Sequence, residues 1–305
     1  MLSHALLLLP DFLLIVVGFL VCRYTALDRS VWSGTERMVY WLLFPVLLFT
    51  SIVKSPLAPM ATLSLGAGGM LVVATGFVLA TLLRRLPGID AHLQASGAQV
   101  AFRFNSYVAL ALAERLGGAP AVAWIALLIA LCVPLCNLGA VWSLSRHGGQ
   151  NTLRELLHNP LILATVAGLI ANLAGLRLPP TVDITLSRIG AAALPLGLMA
   201  VGAGLQFGGL QKAPGLAAGL LAIRHAVLPA VALGLGLLLA LPDGQAQVLV
   251  AFAALPTASS CYVLAARMGG DGPYVAGLVT ASTLLGMLSV PLAMLAFAAT
   301  RGLGG

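Results

Sequence analysis

Ten apolar runs, separated by short turn-rich connections, restrict what this chain can fold into more than any other feature. They fall at 5–22, 37–53, 62–83, 95–113, 121–144, 160–176, 184–207, 215–239, 246–266 and 274–299. A helix of roughly 20 residues crosses a hydrocarbon core about 30 Å thick, and most of the runs approach that length. Within lipid every backbone N–H and C=O must be satisfied by the protein itself, so only helices and closed barrels can span it. A barrel would show short alternating segments instead. The chain is therefore predicted to be an all-α polytopic membrane protein. Its composition agrees: 60% of residues are apolar and 8% charged, whereas soluble domains carry roughly 25% charge. The breaks are turn signals such as Ser55-Pro56, Pro87-Gly88, Gly117-Gly118, Pro179-Pro180, Pro242-Asp243-Gly244 and Gly270-Asp271-Gly272-Pro273.

The second half repeats the first. At a separation of 150 positions Pro10 matches Pro160, Gly18 matches Gly168 and Pro45 matches Pro195. With two residues of slippage, Arg115-Leu116-Gly117-Gly118 matches Arg267-Met268-Gly269-Gly270. Residues 1–145 and 159–305 thus form two five-span repeats joined by a connector at 146–158. An odd number of spans in each copy makes the copies inverted, the plan of secondary transporters whose sites lie between the repeats near the midplane.

Charge and cysteines narrow the class further. The net charge of +7 comes from basic residues scattered singly in short loops, which is a topological signal and not a nucleic-acid surface. Nine basic residues fall in the loops that lie inside if the amino terminus is outside, against five in the opposite set. That bias predicts a multi-pass protein with both termini outside the cytoplasm, which for a bacterial inner membrane means periplasmic. No basic residue precedes the first apolar run, which argues that this run stays as a span. Cys22, Cys132, Cys136 and Cys261 have no His or carboxylate arranged with them, so they read as packing residues and no metal site is expected.

Spans four and nine are the unusual ones. The fourth places Arg103, Asn105, Ser106 and Tyr107 near its middle. The ninth places Pro256, Thr257, Ser259 and Ser260 there, with Asn105 opposite Thr257 at a separation of 152. Pro256 has no N–H to give and disfavours helix at Leu255, so the ninth span should break there. Thr257, Ser259 and Ser260 are suited to cap the half-helix that follows, as Asn105 and Ser106 are in the fourth. Two broken helices meeting at their breaks would aim positive dipole ends at one point, an environment that favours an anion. Arg103 adds a full charge, and an intramembrane arginine is expensive enough to mark a functional site. The bland alternatives are Ser and Thr bonded back to the preceding turn and Arg103 clamping the end of a neighbouring helix.

Three further polar residues are candidates for a coupling or structural role. Arg224 and His225 lie mid-span in the eighth run, where adjacent positions diverge by about 100° and cannot both face one cavity. Asp11 is the one acidic residue placed within a span, the remainder lying at span ends or in loops. That scarcity disfavours a cation antiporter, which keeps carboxylates at its site. A hydrolase would need a nucleophile with a base. His225 is the one His within a span, and no Gly-x-Ser-x-Gly or His-Glu-x-x-His occurs, so the chain does not read as an enzyme.

At Phe102-Arg103-Phe104-Asn105-Ser106-Tyr107-Val108, His158-Asn159-Pro160-Leu161, Ala192-Ala193-Leu194-Pro195-Leu196-Gly197-Leu198 and Leu255-Pro256-Thr257-Ala258-Ser259-Ser260 the chain resembles the auxin efflux carrier family, bacterial permeases and their plant PIN relatives. The resemblance implies a fold related to the bile-acid/sodium symporters, with spans four and nine as crossing helices. It also implies a scaffold of spans one, two, six and seven, a mobile transport unit made of the rest, and a homodimer. Its members carry carboxylates, among them auxin, malonate and malate. Plant carriers place a proline beside the asparagine of span four, whereas Asn105 is followed by Ser106, a departure that bears on the shape of this crossing.

The expectation is a secondary carrier of small organic anions, working by an elevator-like alternating-access mechanism without a cofactor. Its substrate would meet Arg103, Asn105, Ser106, Tyr107, Pro256, Thr257, Ser259 and Ser260. The coupling ion is left open between proton and sodium. The alternatives are a cation-coupled carrier of the bile-acid symporter kind, and a channel or sensor without turnover.

Overall fold

The computed structural model describes residues 2–54, 59–144, 160–206 and 208–302. The connector 146–158, His158-Asn159 and the side chain of Asp11 lie outside what is described. The first half contains Leu2–Tyr24 (α1), Arg29–Met38 (α2), Phe44–Val53 (α3), Pro59–Leu82 (α4), Ala91–Gly97 (α5) and Ser106–Leu144 (α6). The second contains Pro160–Leu173 (α7), Pro180–Ala191 (α8), Ala193–Ala203 (α9), Pro214–Ala222 (α10), Leu228–Leu238 (α11), Asp243–Ala254 (α12), Cys261–Arg267 (α13) and Gly272–Thr300 (α14). No strand occurs among the described residues. Five helical stretches are long and apolar enough to cross a bilayer: Thr62–Arg85, Ala91–Leu144, Pro180–Ala203, Pro214–Leu238 and Gly272–Thr300.

Helix starts follow local chemistry. The Asp28 carboxylate accepts from the N–H groups of Ser30 and Val31 and opens α2, Asp90 accepts from Leu93 and opens α5, and Asp271 accepts from Tyr274 and opens α14. Pro180 and Pro214 occupy first-turn positions where a missing N–H costs nothing. Gly118, at φ 56° and ψ −145°, holds a conformation open to glycine and splits α6 in two. The second span begins earlier than its hydropathy indicates, at Arg29 in place of 37. A widened π turn, Val39–Leu43, joins α2 to α3, and a second, Ile223–Val227, joins α10 to α11. Each lies just ahead of a proline, Pro45 or Pro229, where the shifted hydrogen-bond register accommodates a residue that cannot donate.

The helices pack in two groups. In the first, α1 lies along α9 and α3 lies against α7 and α8. The α1–α9 approach is so close that a Cβ on Gly18 would overlap the Met199 carbonyl, and one on Gly202 the Ile15 carbonyl. In the second, α4 packs on α6, α12 on α11, α6 and α14, and α13 on α14. The groups meet where α6 touches α3, α7 and α9, and where α1 touches α14. At that seam the rings of Phe44 and Tyr107 stack with centroids 4.8 Å apart. Ion pairs tie helix ends together: Lys54 to Asp183 at 2.6 Å, Arg301 to Asp243 at 3.1 Å, and Lys212 to Asp271 at 2.5 Å.

Candidate functional site

Both unusual spans leave helical geometry in mid-course. After α5 and a short 3₁₀ turn, Ala98–Ala101, residues 102–105 are non-helical before α6 begins at Ser106. After α12 the chain is non-helical from 255 to 260. Leu255 is extended, at φ −56° and ψ 146°, as the residue before a proline should be. The break in the fourth span needs no proline, because Asn105 supplies an alternative partner for the backbone. Its Oδ1 accepts from Tyr107 N at 3.0 Å and Val108 N at 3.3 Å, which starts α6 afresh.

The two breaks are bonded to each other. Asn105 N donates to the Pro256 carbonyl at 2.9 Å, and Thr257 Oγ1 donates to the Arg103 carbonyl at 3.1 Å. Phe104 and Phe252 close the apolar side, with ring centroids 4.5 Å apart. A cavity of about 140 Å³ lies beside this junction, lined among others by Tyr40, Asn105, Ser106, Tyr107, Ser259 and Ser260. Asn105 is 3% exposed, and its Nδ2 is buried without a partner. A buried donor of this kind is costly to leave unmade, which suits a group meant for a ligand.

The remaining candidate residues divide by where they point. Arg103 donates to Gln99 Oε1 at 2.8 Å and to Ser260 Oγ at 3.1 Å, so its guanidinium bridges the two broken spans. Thr257 is fully buried, its N–H held by Ser282 Oγ at 2.9 Å, and it acts as a pin between the breaks and not as a cavity wall. Capping of the second half-helix differs from expectation. Ser260 stands at the head of α13 but makes no capping bond, because its backbone is already helical, at φ −71° and ψ −5°, and its hydroxyl turns to Arg103 instead. The first half-helix is capped by Asn105 itself, so its first N–H groups are not all open to a ligand.

Arg224 and His225 turn to different partners, as adjacent helical positions must. Arg224 Nε donates to the Leu255 carbonyl at 2.6 Å and an η nitrogen to the Phe252 carbonyl at 3.2 Å. Phe252 lies four residues before Pro256, which has no N–H to offer its carbonyl, so that carbonyl takes its bonds from Leu255 N, at 3.4 Å, and from Arg224. The clamp role weighed for Arg103 is therefore filled by Arg224. His225 sits between Ser289 Oγ at 2.7 Å and Ser282 Oγ at 2.8 Å, and Ser282 in turn holds Thr257. Sequence reasoning missed Tyr40, Gln99 and Ser282. Tyr40 sits between the apolar Val39 and Trp41 and reads as one more hydrophobic ring, while Gln99 stands one helical turn before Arg103, a spacing that could have flagged it.

A profile of the family described as "Membrane transport protein" matches residues 105–294. The chain is 26% identical over 287 residues to an uncharacterised transporter of Methanothermobacter thermautotrophicus, covering 92% of this chain and 93% of that one. It is also 26% identical over 300 residues to a protein of Rhizobium meliloti provisionally named a malonate transporter, covering 93% and 92% respectively.

Proposed function

The chain belongs to the membrane transport protein family, that of the auxin efflux carriers, and from that premise we propose that it is a secondary carrier of small organic anions, carboxylates above all. The observation that carries the proposal is the junction of the two helix breaks beside a cavity, with the Asn105 amide left without a partner. Asn105, Ser106, Tyr107, Ser259 and Ser260 meet the substrate directly. Arg103 stands one hydrogen bond behind, through Ser260, and supplies the positive potential. Thr257, Pro256 and Arg224 hold the geometry. Malonate is the first substrate to try, because one relative carries that name.

The two helix groups of the fold are the scaffold and the transport unit, and the anion crosses as the second slides along the first. Ten spans in two inverted repeats place the Lys212–Asp271 pair on the inner side and the Lys54–Asp183 and Arg301–Asp243 pairs on the outer. Each pair joins loops assigned to one side by the basic-residue bias, which supports that arrangement. The protein works in the inner membrane, as a homodimer through the scaffold.

Reconstituted liposomes test the proposal. Labelled malonate should enter saturably and faster into vesicles preloaded with unlabelled malonate, and repeating this with proton and sodium gradients identifies the coupling ion. Flux that never saturates would instead favour a channel. Absence of flux for every mono- and dicarboxylate tried would sink the substrate class.

A further inference from the structure

A second and larger cavity, about 770 Å³, opens between α1, the start of α2 and the end of α9. Arg23, Tyr24, Arg29 and Gln206 line it, so two arginines border one space. The α2 helix links it to the cavity at the helix breaks. Arg29, Glu36 and Tyr40 follow at intervals of seven and four residues, which puts them along one helix face. Arg29 Nη1 donates to Glu36 Oε1 at 2.8 Å. Glu36 and Tyr40 both lie within electrostatic reach of the Tyr107 hydroxyl, and Tyr40 and Tyr107 share the smaller cavity. Across the seam Tyr262, two residues beyond Ser260, lies close enough to Arg29 to favour its charge. A polar stripe thus runs from the large cavity to the small one, with a single carboxylate on it.

We propose that Arg29 is a first docking site for the substrate's carboxylate, an antechamber to the cavity at the breaks, and that Glu36 occupies Arg29 until an anion displaces it. The proposal rests on the carrier reading above. The chemistry is an exchange of like for like: the Glu36 carboxylate fills the position that an incoming carboxylate takes. The exchange is cheap because the pair is open to solvent, with side chains 40% and 33% exposed, and an ion pair in that setting adds little to folding. Neutral molecules and cations gain nothing from displacing Glu36, so the pair filters by charge before the narrower site filters by shape. An anion that has left Arg29 finds the Tyr40 and Tyr107 side chains next along the stripe.

The test is a titration of the purified protein with malonate, malate and succinate, with unliganded melting temperature measured on the same samples. Glu36→Gln should tighten malonate binding about two- to five-fold by removing the internal competitor. Arg29→Gln should weaken it about ten-fold, and the double variant should match Arg29→Gln alone, because without Arg29 there is nothing for Glu36 to occupy. A purely structural pair would lower both melting temperatures alike and leave malonate affinity unchanged, which overturns the antechamber. If Asn105→Asp abolishes binding while Arg29→Gln and Glu36→Gln leave it untouched, the carrier reading stands and this proposal alone falls. A wild type that binds none of the three acids overturns both.

Discussion

Arg224 is 1% exposed and donates to the carbonyls of Phe252 and Leu255 at the end of α12. Replacing it by Gln takes the short bond from the buried Leu255 carbonyl, at a cost of about 1–3 kcal/mol. Arg224→Gln should therefore show a clear fall in melting temperature in detergent. Arg103, by contrast, is half-buried, and its two side-chain bonds, to Gln99 and Ser260, are with neutral groups. Arg103→Gln should weaken malonate binding at least ten-fold while moving the unliganded melting temperature little, with Arg103→Lys intermediate because it keeps charge but loses the planar fork. A large thermal loss with affinity retained would mean that Arg103 serves the fold. Asn105 permits a sharper separation. Its Oδ1 caps α6 and its Nδ2 has no partner, so Asn105→Asp keeps the acceptor, removes the donor and adds a repelling charge. That variant should fold like wild type and fail to bind malonate, and binding within a factor of two of wild type would count against the site.

The α1–α9 contact is set by glycine on both sides, Gly18 and Gly202, where backbone meets backbone. Gly202→Ala should force the helices apart at about 1–3 kcal/mol, as overpacking does, and show as a lower melting temperature with malonate affinity preserved in the folded fraction. An unchanged melting temperature would mean that the helices do not approach so closely. Gly18 was legible as part of the repeat, but its reason for being glycine was not, because the partner carbonyl lies some 180 positions away in sequence. The same limit explains which other elements could be read. Pro256 announces its break locally, by removing a donor, and the break stands where that predicts. Asn105 announces one more weakly, because a polar side chain mid-span has several ways to be satisfied, and the bond from its N–H reaches Pro256, some 150 positions away in sequence. The start of the second span was misread. Residues 29–38 are polar enough to pass for loop, yet Asp28 is a helix cap and Trp32 is buried against Ala200 and Ala203 of α9. The π turns before Pro45 and Pro229 were invisible, since hydropathy does not register a one-residue shift in hydrogen bonding.

The sorting of helices into two groups, with α6 as the main line of contact between them, turns the proposed sliding motion into a mechanical question. If the groups move as rigid bodies, a covalent link across the seam must stop transport, while a link inside either group must not. Gly197 and Tyr107 supply the crossing pair, since a Cβ placed on Gly197 of α9 lies 3.6 Å from the Tyr107 Cγ of α6, which brings the two Cβ atoms near disulfide reach. Ile52 and Gly168 supply the control within the first group, because a Cβ placed on Gly168 lies 3.1 Å from the Ile52 Cβ, close to disulfide spacing. Both pairs would be introduced as cysteines after removal of Cys22, Cys132, Cys136 and Cys261. Tyr107 also lines the cavity, so the reduced double variant and the single Tyr107→Cys variant set the reference rate. Oxidation should abolish malonate counterflow in the Gly197→Cys/Tyr107→Cys protein, reduction should restore it to the reference, and the Ile52→Cys/Gly168→Cys protein should transport at the same rate in either state. Malonate binding should survive oxidation in both, since a locked carrier still presents its site to one side. Counterflow that continues across a fully formed seam disulfide would show that the two groups do not slide past each other.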